Sequence, residues 1–101
     1  MIPVKTPLFK LGQVVGTPAA LEALDKTGQA PWEFLSRHVA GDWGILDDED
    51  KTLNDQSVQD GSRILSAYLL KDGKTKIWII TEATGDNGNR AATTILLPED
   101  Y

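Results

Sequence analysis

Hydrophobic positions along the chain fall into distinct rhythms, and each rhythm predicts a kind of element. In residues 17–28, "TPAALEALDKTG", Leu21 and Leu24 stand three apart with alanines between them, which is the spacing of one helix face. Thr17 is placed to cap with its hydroxyl, and Pro18 suits the first helical position because its missing N–H has no partner there. Gly28 supplies the left-handed residue that ends the helix. A second, more apolar helix opens at Pro31, carries Trp32, Phe34, Leu35 and Val39, and closes at Gly41. A joint of about three residues predicts that the two helices form a hairpin. Residues 47–59, "DDEDKTLNDQSVQ", are polar apart from Leu53 and Val58 and predict a short surface helix, with acids in the first turn where the helix dipole favours them.

The C-terminal part follows the rhythm of strands. "RILSAYLLKDGKTKIWIIT", residues 63–81, reads as a β-hairpin centred on Asp72 and Gly73, a pair suited to the positive φ of a tight turn. Pairing Lys71 with Lys74 sets Leu65 opposite Ile80, Ala67 opposite Trp78, Tyr68 opposite Ile77 and Arg63 opposite Glu82. Small residues then face large ones, and opposite charges meet at the open end. Leu65, Trp78 and Ile80 fall on one side, with Ile64, Tyr68, Ile77 and Ile79 on the other. Both faces are apolar, so something must cover each. "ATGDNGNRA" (83–91) is a loop, and "TTILL" (93–97) returns as a third antiparallel strand that Pro98 stops. Residues 9–15 have strand character weakened by Gly12, and Pro3 and Pro7 make residues 1–8 a flexible arm. The expected fold is a single α+β domain over residues 9–101. Its N-terminal helical hairpin and short acidic helix pack on an antiparallel sheet of three strands, or four if residues 9–15 join it.

Composition narrows the chemistry. The chain has 101 residues, enough for one modest core, and 41% apolar content is too high for disorder. With no cysteine and one histidine, disulfides, thiol catalysis and a multi-histidine zinc site are excluded, and no cofactor is expected. No apolar run approaches a membrane span and no signal-like segment opens the chain, so a cytoplasmic protein without membrane partners is expected. The net charge of −5 is unevenly placed: Asp42, Asp47, Asp48, Glu49, Asp50, Asp55 and Asp60 stand against Lys51 alone, so residues 42–60 carry −6 and the rest +1. Such a patch repels phosphate backbones and attracts a basic protein surface. A plain solvated helix face accounts for the same acids.

The stretch "RHVAGDWG" (37–44) gathers the most chemistry. A catalytic histidine needs an orienting partner and a pocket, whereas a helix end explains every residue type here. On that reading His38 lies beside the apolar stripe near the helix C-terminus, where an imidazolium is favoured. Arg37 and Asp42 pair across the end, and Trp43 folds over the core with its N–H on a carbonyl. Asp86, Asn87 and Asn89 offer oxygen ligands but lack calcium-loop spacing and a distal bidentate Glu, so the loop reads as a turn. Asp47 to Asp50 are consecutive and do not converge as a metal site requires.

"LGQVVGTPAALEAL", "FLSRHVAGDWG", "EDKTLN", "RILSAY", "KIWIITEA" and "TTILLPEDY" together resemble a family of small bacterial proteins usually labelled hypothetical or "plasmid-related", some of them called restriction-enzyme subunits. The resemblance spans residues 11–101 and departs from the family at "TGDNGN" (84–89), an insertion in the hairpin loop. The family carries no assigned activity, so no catalytic residue transfers. Its members look like cargo of mobile genetic elements, which implies a role against host defence.

The expected function is therefore non-enzymatic protein binding. The acids Asp42, Asp47, Asp48, Glu49, Asp50, Asp55 and Asp60 would engage a basic surface of a host defence or nucleic-acid-handling protein, as anti-restriction and anti-CRISPR inhibitors do, without binding nucleic acid directly. One alternative is a small ribonuclease of the RelE or barnase kind, or a toxin–antitoxin component, with His38, Arg37, Arg63, Glu82 and Arg90 as its chemistry. Another is a structural module that homodimerises through an exposed sheet face.

Overall fold

A computed structural model describes residues 7–101. The arm expected over residues 1–8 lies outside the described residues up to position 6. At its described end, Leu8 donates its N–H to the Val39 carbonyl at 2.8 Å.

The α+β class stands. The elements are β1 (Gln13–Gly16), α1 (Pro18–Thr27), α2 (Pro31–Val39), α3 (Asp48–Asp60), β2 (Ile64–Leu69), β3 (Lys76–Thr81), β4 (Ala92–Leu96) and a closing 3-10 turn at Pro98–Asp100. The sheet has four strands in the order β1-β4-β3-β2. It is mixed, which corrects the antiparallel expectation: β1 runs parallel to β4, with Val14 beside Thr93 and Gly16 beside Ile95. The whole helical region separates β1 from β4, long enough for the crossover that a parallel pair demands.

The hairpin register holds: Leu65 pairs with Ile80, Ala67 with Trp78 and Tyr68 with Ile77. Its turn does not. The strands stop at Leu69 and Lys76, Leu70 N–H bonds the Thr75 carbonyl, and Lys71 and Lys74 sit in the loop. Asp72 organises that loop by accepting from the backbone of Lys74 and Thr75 and from the Thr75 hydroxyl, so only Gly73 takes positive φ. Arg63 and Glu82 fall beyond the paired strands, and the Arg63 guanidinium bonds the Tyr101 hydroxyl at 3.0 Å instead.

Strand alternation gives the sheet an inner and an outer face. The inner face carries Tyr68, Leu70, Ile77, Ile79 and Ile95, packed against Ala20 and Leu24 of α1 and Phe34 and Leu35 of α2. On the outer face Ala67, Ile80 and Leu96 are buried, and Tyr101 folds back edge-on against Trp78. The Thr17 hydroxyl caps α1 by accepting from Ala20 N–H, and it donates to Asp100, which ties down the C-terminal turn. Gly28 and Gly41 each take positive φ just past a helix, where their N–H groups and those of the next residue bond the helix's last carbonyls.

Several residues expected in the core are outside it. Leu21, Trp32 and Leu53 are 42%, 64% and 52% exposed, and their places are taken by Ala20, His38 and the pair Asn54 and Ser57. The acidic helix is thus anchored by polar side chains. Asn54 donates to the Leu65 carbonyl at 2.7 Å and accepts from Leu65 N–H at 3.3 Å, so one side chain imitates a neighbouring strand along β2. Beside it, Trp43 and Ile45 exchange backbone bonds with Ala67, bringing Gly44 into parallel bridging with that residue. A Cβ on Gly44 would meet the Ala67 carbonyl oxygen at 1.8 Å, so only glycine allows the approach.

Candidate functional site

The residues of "RHVAGDWG" do end a helix, but not in the expected way. Arg37 and Asp42 pair across the end, Nε to Oδ2 at 2.8 Å, and the guanidinium lies 4.6 Å over the Tyr68 ring. The hydrogen bond from Arg37 holds the Asp42 carboxyl below its ordinary range. Trp43 is buried as expected, yet its N–H donates to the Asp55 carboxylate at 2.9 Å, not to a carbonyl. His38 is the larger correction. It is wholly buried, and burial first, then the charge of Arg90, pushes its pKa down to about 3. It is therefore a neutral imidazole at pH 7, not the dipole-stabilised cation that its place at a helix end suggested.

Its protonation pattern follows from a chain of hydrogen bonds across the inner face. Thr93 Oγ1 donates to the Leu11 carbonyl at 2.7 Å, and a carbonyl can only accept. Thr93 must then accept from the Thr81 hydroxyl at 2.7 Å, and Thr81 from His38 Nε2–H at 2.9 Å. That leaves His38 Nδ1 to accept from the Ser66 hydroxyl. Strands β2, β3 and β4 each contribute one hydroxyl, so the imidazole locks α2 to three strands. Sequence reading missed Ser66, Thr81 and Thr93; polar residues at inner-face positions of apolar strands were the available signal.

The other basic candidates are also held. Arg90 is 6% exposed and donates to three backbone carbonyls: Ser62 at 2.7 Å, Glu82 at 3.0 Å and Ser57 at 3.0 Å. Ser57 lies in the last turn of α3 and Ser62 just past its end, where the helix has no basic residue of its own, so Arg90 supplies the missing cation from across the fold. Its guanidinium faces the Phe9 ring at 5.5 Å. Among the described residues, no two side chains of Arg37, His38, Arg63, Glu82 and Arg90 bond each other.

The seven acids divide by role. Asp42 pairs with Arg37, Asp47 caps α3 by accepting from Asp50 N–H at 2.8 Å, Asp55 takes the Trp43 N–H, and Asp60 accepts from Ser62 N–H at 2.8 Å. Bonding to Ser62 holds the Asp60 carboxyl below its usual range. Asp48, Glu49 and Asp50 are exposed in the first turn of α3 and carry no side-chain bond among the described residues. Asp50 also lines a cleft of about 260 Å³ between α3 and the outer face of β2, with Leu46, Leu53 and Leu65 as its apolar wall and Arg63 at its side. No helix of the described residues is long and apolar enough to cross a membrane. Comparison with protein-family models, curated proteins and solved structures finds no match to this chain.

Proposed function

We propose that the chain is a non-enzymatic binding protein of the cytoplasm that docks the first turn of α3 on a basic surface of a partner protein. The observation that carries this reading is the arrangement of Asp48, Glu49 and Asp50: exposed, unbonded charges beside a half-exposed Leu53 and a small apolar cleft. A charged rim around an apolar centre is the usual anatomy of a protein interface. Asp42, Asp47, Asp55 and Asp60 belong to the fold first and contribute their charge to the approach. A nucleic-acid-handling enzyme of host defence has the complementary basic groove, and the family resemblance to mobile-element cargo favours that class.

The test is affinity capture from the native host at low and high salt, comparing the wild type with a variant carrying Asp48→Asn, Glu49→Gln and Asp50→Asn. These changes remove charge without touching the Asp47 cap. The expected result is a basic nucleic-acid-handling protein that high salt releases and that the variant binds at least about tenfold more weakly. Retention of the same partner unaltered by the three substitutions overturns the reading.

A further inference from the structure

The two edges of the sheet are treated differently. Along β2 the outward backbone groups of its first two outward-facing residues are occupied: Asn54 takes both groups of Leu65, and Trp43 and Ile45 take those of Ala67. Along β1 they have no partner among the described residues. Gln13 and Thr17 turn their N–H groups onto the Ala91 and Ile95 carbonyls, so alternation points the N–H and C=O of Val14 and Gly16 away from β4. No described residue meets them. Nor does the strand "QVVG" carry the charge, proline or bulge with which exposed edges are ordinarily blunted. Val14 and Val15 are 43% and 42% exposed on opposite sides of it, and Leu21 lies directly over Gly16.

We propose that β1 pairs with β1 of a second copy of this chain, antiparallel about a two-fold axis, joining two four-stranded sheets into one of eight. The open groups fix the register. With Val15 on the axis, Val14 exchanges both backbone bonds with the second copy's Gly16, and Gly16 with its Val14. Every outward group of β1 is then satisfied, and the two Val15 side chains meet in a non-hydrogen-bonded pair, where side chains stand closest. A strand completes such an edge along its whole length, and identical uncharged strands do so without placing like charges opposite each other. Because Asn54 and the 43–45 segment block the β2 edge at Leu65 and Ala67, assembly stops at two chains and does not run on into a fibre.

Sedimentation equilibrium from about 1 µM to about 1 mM spans the affinities such a short interface supports. A monomer–dimer equilibrium is expected, and salt should strengthen it by screening the repulsion between chains of net charge −5. That salt response is opposite in sign to the one expected for a basic partner, so the two readings fail independently. Val15→Lys puts two ammonium groups at the axis and should abolish the dimer, whereas Leu53→Lys, on α3 away from this edge, should leave it intact. Hydrogen exchange gives a readout that needs no variant: the Val14 and Gly16 amides should become protected as concentration rises. A monomer at every concentration overturns the proposal, as does a dimer that survives Val15→Lys or leaves those amides unprotected.

Discussion

His38 is the chain's single histidine and is fully buried, so taking up a proton at Nδ1 means giving up the bond accepted there from Ser66. Its folded pKa of about 3 lies well below the ordinary 6.5, so between these values the unfolded chain binds a proton that the folded chain does not. Stability is then complete above about pH 6.5 and falls as the pH drops towards 3, with a slope of up to about 1.4 kcal/mol per unit. Urea midpoints at pH 7, 6 and 5 measure this. His38→Gln should be less stable at pH 7 by about 1–3 kcal/mol and should lose the slope between pH 6.5 and 5. If wild type and variant weaken in parallel over that range, another group is responsible. Spacing alone correctly put His38 beside the apolar stripe of its helix. It could not show the chain of three hydroxyls that begins at the imidazole, because these come from strands 28 to 55 residues further along the chain.

The acidic helix shows the same limit one level up. Its extent, its acidic first turn and its surface position were legible, since caps and dipole preferences act within a few residues. What anchors it was not: Leu53 was the natural choice, and Asn54 does the work. An asparagine in a polar stretch announces nothing until a strand edge lies beside it with a free N–H and C=O. Asn54→Leu removes both bonds and leaves the Leu65 groups unpaired, an expected loss of about 1–3 kcal/mol in urea unfolding. The same variant uncovers the β2 edge, so light scattering should show growth beyond a dimer. A variant as stable as the wild type, with unchanged scattering, would show that the edge is protected by other means. For the hairpin the balance is reversed. Its register was readable because a one-residue slip would put every inner side chain on the wrong face. The loop chemistry of Asp72 was not, since several loop lengths share that register.

For the molecule as a whole, Arg90 is the joint among remote parts. It binds carbonyls at the end of α3, in the turn after it and at the end of β3, and no carboxylate pairs with it among the described residues. The planar fork of guanidinium reaches three directions at once, which an ammonium on a flexible stem does not. Arg90→Lys should therefore destabilise the fold nearly as much as Arg90→Met, by about 2–4 kcal/mol in urea unfolding, despite keeping the charge. A lysine variant of wild-type stability would mean that charge alone matters at the helix end. Sequence reading grouped Arg90 with catalytic candidates because a basic residue after a glycine-rich loop carries no mark of where its side chain goes.

By itself the sequence determined what depends on near neighbours: three helices, the Thr17 and Gly28 caps of the first, the hairpin register, the returning strand and the α+β class. Local propensity and alternation act over a few residues, and the chain states them directly. Only the tertiary structure decided that β1 lies parallel to β4, that His38 is neutral, that Asp55 holds the Trp43 N–H, and that Asn54 and the 43–45 segment occupy one sheet edge while no described residue occupies the other. Each of these depends on which backbone and polar groups meet across long separations. Burial makes such meetings obligatory, and local sequence leaves them unwritten.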